Sequence, residues 1–211
     1  MKFSSKKLYI LVPIILTFAL FYSIKVIDQA PLVNIHTISD NALLDIRYAS
    51  TNNFTHQVIY TQAECYIHKD LVEPLQKVIA NLAKQNLRLK FYDCYRPVAA
   101  QFKLWEIVPD DRYVANPYTT GSNHNRGIAL DITLVDAQGQ ELAMPTPYDT
   151  FSEAAHTTYM NLPEPILANR TLFHNIMQAE GFKPHAFEWW HFDLGDPKDY
   201  LLIDTTFEKL E

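Results

Sequence analysis

Apolar residues recur at helical spacing in two parts of the chain. Between Asp70 and about Gln85 one face carries branched apolar side chains three or four residues apart, at Leu71, Leu75, Val78, Ile79 and Leu82. Asp70, with Glu73 three residues later, predicts the start of this helix. A second such stretch runs from Ile166 to Glu180, and the Gly181 that follows it is typical of a helix C-terminus. The pattern therefore predicts two amphipathic helices that each bury one face.

Alternating apolar and polar positions predict four strands. They cover residues 41–49, 87–94, 128–134 and 188–194. In the third strand Asp131 lies on the face opposite to the apolar side chains Ile128, Leu130, Ile132 and Leu134. Pro97 breaks the chain after the second strand and precedes a third, short helix at about residues 98–105. Because strands and helices do not alternate as βαβ units, we expect an α+β fold with a central antiparallel sheet flanked by helices.

The N-terminus combines positive charge with an apolar run. Lys2, Lys6 and Lys7 precede an uncharged apolar segment at residues 8–24. This order is typical of a secretory signal, or of a membrane anchor whose lysines stay in the cytoplasm, although a buried core helix is a further alternative. We therefore expect an exported, periplasmic or otherwise extracytoplasmic protein, either cleaved or anchored to the inner membrane. The expected organisation is a signal or anchor at 1–25, a linker at 26–40 and one domain at 41–211.

Composition and charge narrow the class of ligand. The chain has 211 residues, of which 48% are hydrophobic, and this is enough for one sizeable core. Its formal charge is −6 and it has no basic run, which argues against nucleic-acid binding and suits a small or cationic ligand.

The chain has two cysteines, Cys65 and Cys94. They could form a disulfide in an oxidising compartment or remain buried thiols, and the sequence leaves both alternatives open.

Two short segments concentrate the residue types that bind metal ions. Asp131 follows His124 by seven residues, with Gly127 between them, and Glu188 and His191 lie near the C-terminus. Two imidazoles and one carboxylate with an open fourth position form a catalytic zinc site, whereas Ca²⁺ and Mg²⁺ take more oxygen ligands. Taken singly, each of these side chains is more often structural or solvated. Their joint spacing favours one zinc ion, held by His124, Asp131 and His191.

Glu188 and Arg96 are candidates for the chemistry itself. Glu188 could act as general base toward a metal-activated water and return the proton to a leaving amine. Because residues three apart face opposite sides of a strand, the chain must bend if Glu188 and His191 are to reach one metal. Arg96 could stabilise an oxyanion, bind a substrate carboxylate or pair with Asp93. The residues therefore indicate a zinc-dependent peptidase.

Four motifs occur together between about residues 40 and 195. Ser-x-His-x-x-Gly-x-Ala-x-Asp covers residues 122–131, and Glu-x-x-His covers residues 188–191. Asp-x-Tyr-Arg-Pro covers residues 93–97, and Arg-Tyr-Ala at 47–49 is followed by Asn-Phe at 53–54. In this combination the chain resembles the D-alanyl-D-alanine dipeptidases. These form the VanX-type branch of peptidase family M15, a wider group of D,D-peptidases and hedgehog-like zinc proteins.

The resemblance implies a single zinc-peptidase domain that cleaves the dipeptide D-Ala-D-Ala. It implies one Zn²⁺ per chain on the three ligands named above, with Glu188 as catalytic base and Arg96 assisting the transition state. It also implies a pocket for the substrate ammonium, built from Ser122, Tyr48 and Asp149. Asn123 stands where close relatives carry a second serine, which is a departure beside this pocket. With an export segment, the implied role is salvage of cell-wall dipeptide outside the membrane.

Two other functions are compatible with the same residues. A D,D-carboxypeptidase or endopeptidase acting on peptidoglycan would share the zinc chemistry but would need a more open pocket. A zinc-binding module without turnover would not need Glu188 and Arg96, and the presence of both argues against it. The pattern does not determine the oligomeric state.

Overall fold

The computed structural model describes residues 26–27 and 31–210 of the chain. Its strands, in chain order, are Val26–Ile27 (β1), Leu32–Asn34 (β2), Leu43–Leu44 (β3), Tyr66–His68 (β4), Arg88–Asp93 (β5), Ala129–Val135 (β6), Lys183–Pro184 (β7), His191–Asp193 (β8) and Leu202–Ile203 (β9). The largest sheet contains five of them in the order β3-β5-β6-β8-β7. All seven residues of the central strand β6 are buried, because both faces of the sheet are covered here.

The central sheet is mixed rather than purely antiparallel. β5 with β6, β6 with β8, and β7 with β8 pair antiparallel, as we expected, but β3 runs parallel to β5. The chain is therefore a mixed helix-and-sheet domain, and the prediction of an antiparallel sheet is correct for three of its four strand pairs. The parallel pair arises because the chain between β3 and β5 returns through a helix and not through a hairpin.

The predicted strand at 41–49 is much shorter than expected. Only Leu43–Leu44 pairs in the sheet, and Arg47–Ala49 turns into a single 3₁₀ turn. The side chain of Asn53 explains this change, since its amide donates to the backbone carbonyls of Arg47, Ser50 and Gln57. These contacts hold the chain in a compact loop. The alternating apolar residues at 44–48 therefore lie mostly in this loop and not in a strand.

The three α-helices in the described residues lie where the sequence analysis predicts them. They span Val72–Ala83 (α1), Val98–Ile107 (α2) and Glu164–Ala179 (α3). α1 packs against β5 and α3, and its Leu75, Val78 and Leu82 are fully buried. Asp70 is not the helix cap, because a 3₁₀ turn at Lys69–Leu71 precedes α1 and the His68 ring accepts the Asp70 N–H.

Two small sheets and a disulfide lie beside the five-stranded sheet. β2 pairs antiparallel with β4, and β1 pairs parallel with β9. Cys65 and Cys94 form a disulfide with both side chains buried. Because Cys94 directly follows β5, the disulfide joins that strand to the residue before β4.

The predicted signal or anchor at 8–24 lies outside the described residues. Within 26–27 and 31–210, no helix has the length and apolar character needed to cross a bilayer.

Candidate metal centre and active site

Three side chains that can ligate a metal converge on one side of the central sheet. His124 begins a 3₁₀ turn at His124–Arg126, Asp131 lies in β6, and His191 is the first residue of β8. Asp131 and His191 are directly opposite each other in the antiparallel register, so their side chains share a face. The register of two strands and the preceding turn therefore brings all three predicted ligands together.

The distances within this group fit a tetrahedral zinc ion. His124 Nε2 lies 3.2 Å from His191 Nδ1 and 3.4 Å from Asp131 Oδ1, and the last two atoms are 3.0 Å apart. Bonds of about 2.0–2.2 Å in tetrahedral geometry separate neighbouring ligand atoms by about 3.3–3.6 Å, close to the distances found here. A single small cation can contact all three atoms at once.

The outer hydrogen bonds orient the three ligand atoms as acceptors. His124 Nδ1 donates to the Cys94 carbonyl at 2.7 Å, and His191 Nε2 donates to Asp193 Oδ1 at 3.1 Å. In the neutral tautomers that make these two bonds, each ring presents its unprotonated nitrogen to the centre. Asp131 Oδ2 accepts from Tyr148, which leaves Oδ1 facing the same point. When both rings are neutral, three lone pairs therefore converge on one point, which is a site for a cation.

Gly127 permits the turn that separates His124 from β6. Its φ of +69° lies in the left-handed region, and a Cβ at this position would stand 2.6 Å from Leu32 Cδ2 and 3.1 Å from the His68 backbone nitrogen. A larger residue here would have to move β2 or β4. Glycine at this position therefore allows His124 and β6 to approach the same metal site.

Glu188 reaches the metal group because the chain bends after it. Residues 188–190 form a turn before β8, closed by the His191 N–H donating to the Glu188 carbonyl at 3.3 Å. Glu188 Oε2 then lies 3.7 Å from His191 Nδ1 and 3.4 Å from His185 Nδ1. Burial raises the pKa of Glu188 well above its usual range, against the opposing effect of His191. A raised pKa makes this carboxylate a stronger base toward a neighbouring water.

Arg96 is buried at the edge of the same cavity and is held on two sides. Its Nε and Nη2 donate to Asp93 Oδ2 at 3.0 and 2.7 Å, and Nη1 donates to Gln101 Oε1 at 2.8 Å. The pairing with Asp93 that the sequence left open is therefore present. It does not withdraw Arg96 from the site, because the guanidinium still lines the cavity with His124 and Glu188. A fixed, buried cation can stabilise negative charge without reorganising.

The cavity above the metal group has a volume of about 500 Å³ and contains the three residues predicted to hold an ammonium. Asp149 has a left-handed φ of +58°, and its buried Oδ2 has no hydrogen-bond partner. Its Oδ1 accepts from Tyr48 at 3.3 Å, while the Ser122 hydroxyl accepts the His124 N–H. Burial and the charge of Asp131 raise the pKa of Asp149 well above its usual range. A cationic ligand would satisfy this carboxylate.

Several site residues were not predicted from the sequence. Asp193 and Tyr148 contact metal ligands, Gln101 holds Arg96, and His185 lines the cavity beside Glu188. His-x-Asp spacing in the last strand is a signal that could have identified Asp193, since residues two apart share a face. Tyr148 precedes Asp149 in a long loop, and no periodic pattern there indicates which side chains turn inward.

Curated relatives that resemble the chain carry the same name. It is 38% identical to the D-alanyl-D-alanine dipeptidase of Escherichia coli over 180 residues, which cover 85% of this chain and 93% of that protein. The D-alanyl-D-alanine dipeptidase of Streptomyces coelicolor is 30% identical, with 78% and 90% covered. That of Enterococcus faecalis is 28% identical, with 72% and 85% covered.

The comparison with these relatives corrects the prediction of export. The Escherichia coli protein, aligned over nearly its whole length, gives no support for an exported enzyme. The prediction of an extracytoplasmic protein is therefore wrong. It gave too much weight to the lysines and apolar run at 1–24, a compositional pattern that does not by itself specify a targeting segment.

The match to the family extends over nearly the whole chain. The model of the peptidase M15 family that is described as D-ala-D-ala dipeptidase matches residues 28–210, and this range includes every residue of the site described above. Together with a relative that is 38% identical over 85% of the chain, this match shows that the chain belongs to the D-Ala-D-Ala dipeptidase family of M15 peptidases.

Proposed function

We propose that the protein is a zinc-dependent dipeptidase that hydrolyses D-Ala-D-Ala to free D-alanine. The observation that carries this proposal is the convergence of three metal-facing ligand atoms beside the buried carboxyl of Glu188, in a chain whose family match spans residues 28–210. The catalytic unit is a single domain at 41–211, of the hedgehog and D,D-peptidase type, preceded by a segment at 26–40. D-Ala-D-Ala derived from the cell wall is the expected source of substrate.

Zinc is the metal that the donor set favours. Two imidazole nitrogens and one carboxylate oxygen suit Zn²⁺, whereas Mg²⁺ and Ca²⁺ prefer sites with more oxygen ligands. One Zn²⁺ per chain would be held by His124, Asp131 and His191. When bound, it supplies Lewis acidity, which polarises the scissile carbonyl and makes water a better nucleophile.

Glu188 transfers the protons, and Arg96 stabilises the negative charge that forms during the reaction. Glu188 accepts a proton from the attacking water and passes it to the leaving amine, which its raised pKa allows. Arg96 stabilises the negative charge that develops on the carbonyl oxygen. Its two contacts with Asp93 keep the guanidinium in place through the reaction.

The ammonium of the substrate binds to Asp149. The unpartnered Oδ2 accepts a charge-assisted hydrogen bond, while Tyr48 holds Oδ1 and so keeps the carboxylate oriented. Ser122 lines the cavity on the side of His124. A buried carboxylate here favours a free N-terminus, because a longer peptide would replace the ammonium with an amide and leave a charge unpaired. This preference favours a dipeptide over peptidoglycan stems.

The test is release of free alanine, of either configuration, by the full chain loaded with Zn²⁺. The substrates are D-Ala-D-Ala, L-Ala-L-Ala and a muropeptide ending in D-Ala-D-Ala. We expect turnover of D-Ala-D-Ala alone, with Glu188→Gln reducing kcat by about 10²- to 10⁴-fold while the zinc content stays at one per chain. Cleavage of the muropeptide alone would identify a D,D-carboxypeptidase. Zinc binding without any turnover would identify a binding module and refute the proposal.

A further inference from the structure

Tyr148 lies between the metal group and the ammonium pocket. It directly precedes Asp149 in the loop between β6 and α3, and its side chain is buried with 8% exposure. The Tyr148 hydroxyl donates to Asp131 Oδ2 at 2.8 Å. We propose that Tyr148 is a positioning residue for the metal ligand Asp131, and that its hydroxyl determines which carboxylate oxygen faces the metal. This inference rests on the proposed function, in which Asp131 ligates zinc.

The hydrogen bond from Tyr148 gives the two carboxylate oxygens of Asp131 different partners. Oδ1 lies 3.0 Å from His191 Nδ1 and 3.4 Å from His124 Nε2, so it is the oxygen that shares a metal with them. Oδ2 is occupied by the Tyr148 hydroxyl. A carboxylate can bind zinc through one oxygen or both, and binding through both uses an additional coordination position. The Tyr148 hydroxyl therefore favours binding through Oδ1 alone and keeps a position open for water.

The ring of Tyr148 has little freedom to withdraw its hydroxyl. Its centroid lies 4.7 Å from that of Tyr92, 5.3 Å from that of Trp190 and 6.4 Å from that of Tyr48, and the Arg47 guanidinium is 5.9 Å away. Packing on several sides fixes both torsions of a tyrosine at low entropic cost. The hydroxyl is therefore set in place before any metal binds.

Tyr148→Phe is the direct test, because it removes the hydroxyl and keeps the packed ring. Tyr92→Phe is the matched control: Tyr92 belongs to the same aromatic group, but its hydroxyl bonds Glu141 and does not contact a metal ligand. The Zn²⁺ dissociation constant is measured by chelator competition on the full chain. We expect it to rise about 10- to 100-fold in Tyr148→Phe and less than about twofold in Tyr92→Phe.

Two further measurements distinguish a positioning role of Tyr148 from a general loss of folding. In the Co²⁺-substituted protein, the visible spectrum of Tyr148→Phe should shift toward that of a higher coordination number, because Asp131 can then bind through both oxygens. For D-Ala-D-Ala, kcat should fall with little change in KM, since the ammonium pocket at Asp149 is untouched. The melting temperatures of both metal-free variants are compared to check that each is folded.

Three outcomes would overturn the inference. The first is an unchanged zinc affinity and cobalt spectrum in Tyr148→Phe, even if its activity falls. The second is an equal loss in both variants, which would assign the effect to packing. Failure of the wild-type chain to bind zinc would instead refute the proposed function, and the role of Tyr148 with it. Metal binding by the wild type is measured first, so the two failures are distinguishable.

Discussion

Replacing Asp149 with asparagine removes one charge from the cavity and almost nothing else. The two side chains have the same shape, and the amide oxygen can still accept the Tyr48 hydroxyl, which lies 3.3 Å from Oδ1. The oxygen that changes to an NH₂ group is Oδ2, which is buried and has no partner. The variant therefore isolates the proposed contact with the substrate ammonium.

The size of the effect follows from that missing partner. A hydrogen bond to a charged group contributes about 1.5–3 kcal/mol, and about 1.4 kcal/mol corresponds to a tenfold change in rate. We therefore expect kcat/KM for D-Ala-D-Ala to fall about 10- to 150-fold in Asp149→Asn. Most of the change should appear in KM, because the ammonium is bound equally in the ground state and in the transition state.

The thermal stability of the metal-free Asp149→Asn variant should not fall with its activity. Burial and Asp131 raise the pKa of Asp149 in the folded protein, so ionising this carboxyl costs more free energy there than in the unfolded chain. Its contribution to stability therefore declines as the pH rises from the usual carboxyl range through the raised pKa. At neutral pH the metal-free Asp149→Asn variant should melt no lower than the wild type, which a scaffolding role for Asp149 would not allow.

The assay compares two substrates that differ only in the amine. D-Ala-D-Ala is set against D-lactyl-D-alanine, in which a neutral hydroxyl replaces the ammonium. The wild type should prefer D-Ala-D-Ala, and Asp149→Asn should lose most of that preference. Asp111→Asn is the control, because Asp111 also lines the cavity but is exposed at its rim. An Asp149→Asn variant that retains the full preference for the amine would refute the reasoning.

Three further substitutions test other parts of the site. Arg96→Lys should lower kcat about 10²- to 10³-fold with KM nearly unchanged, because one ammonium cannot reproduce the fixed guanidinium, as steady-state kinetics would report. Asp193→Asn should weaken Zn²⁺ binding about 10- to 100-fold in chelator competition, because it loosens the orientation of His191. Gly127→Ala should destabilise the fold by about 1–3 kcal/mol in denaturant unfolding, because its φ is +69° and a Cβ would approach Leu32 to 2.6 Å. A raised KM at unchanged kcat in Arg96→Lys would contradict the first expectation. An unaltered zinc affinity in Asp193→Asn would contradict the second, and an unaltered unfolding midpoint in Gly127→Ala would contradict the third.

Local sequence was a good guide to the helices and to the long strands. α1, α3 and β6 each repeat an apolar pattern over several turns or residues, and all three lie within a few residues of their predicted bounds. Short elements were harder. The alternation at 41–49 yields only a two-residue strand, because hydrogen bonds from the Asn53 side chain draw the chain into a loop. A tertiary contact of this kind overrides a weak local preference.

The sequence by itself determined which side chains could form the site. The spacing of His124, Asp131, Glu188 and His191 predicted one metal group, and the structure brings these four together. The required bend between Glu188 and His191 could also be predicted, because strand geometry forbids the two from sharing a face otherwise. Export was predicted from composition alone, and that prediction failed.

Only the tertiary structure decided how these side chains are held. The Cys94 carbonyl and Tyr148 orient His124 and Asp131 from 30 and 17 residues away in the chain, whereas only Asp193 lies close in sequence to its ligand His191. The partners of a hydrogen bond depend on strand register and loop path, which arise from packing over long separations in the chain. Residue type and spacing can therefore predict the chemistry of this site, whereas its geometry follows from how the sheet and the loops around it pack.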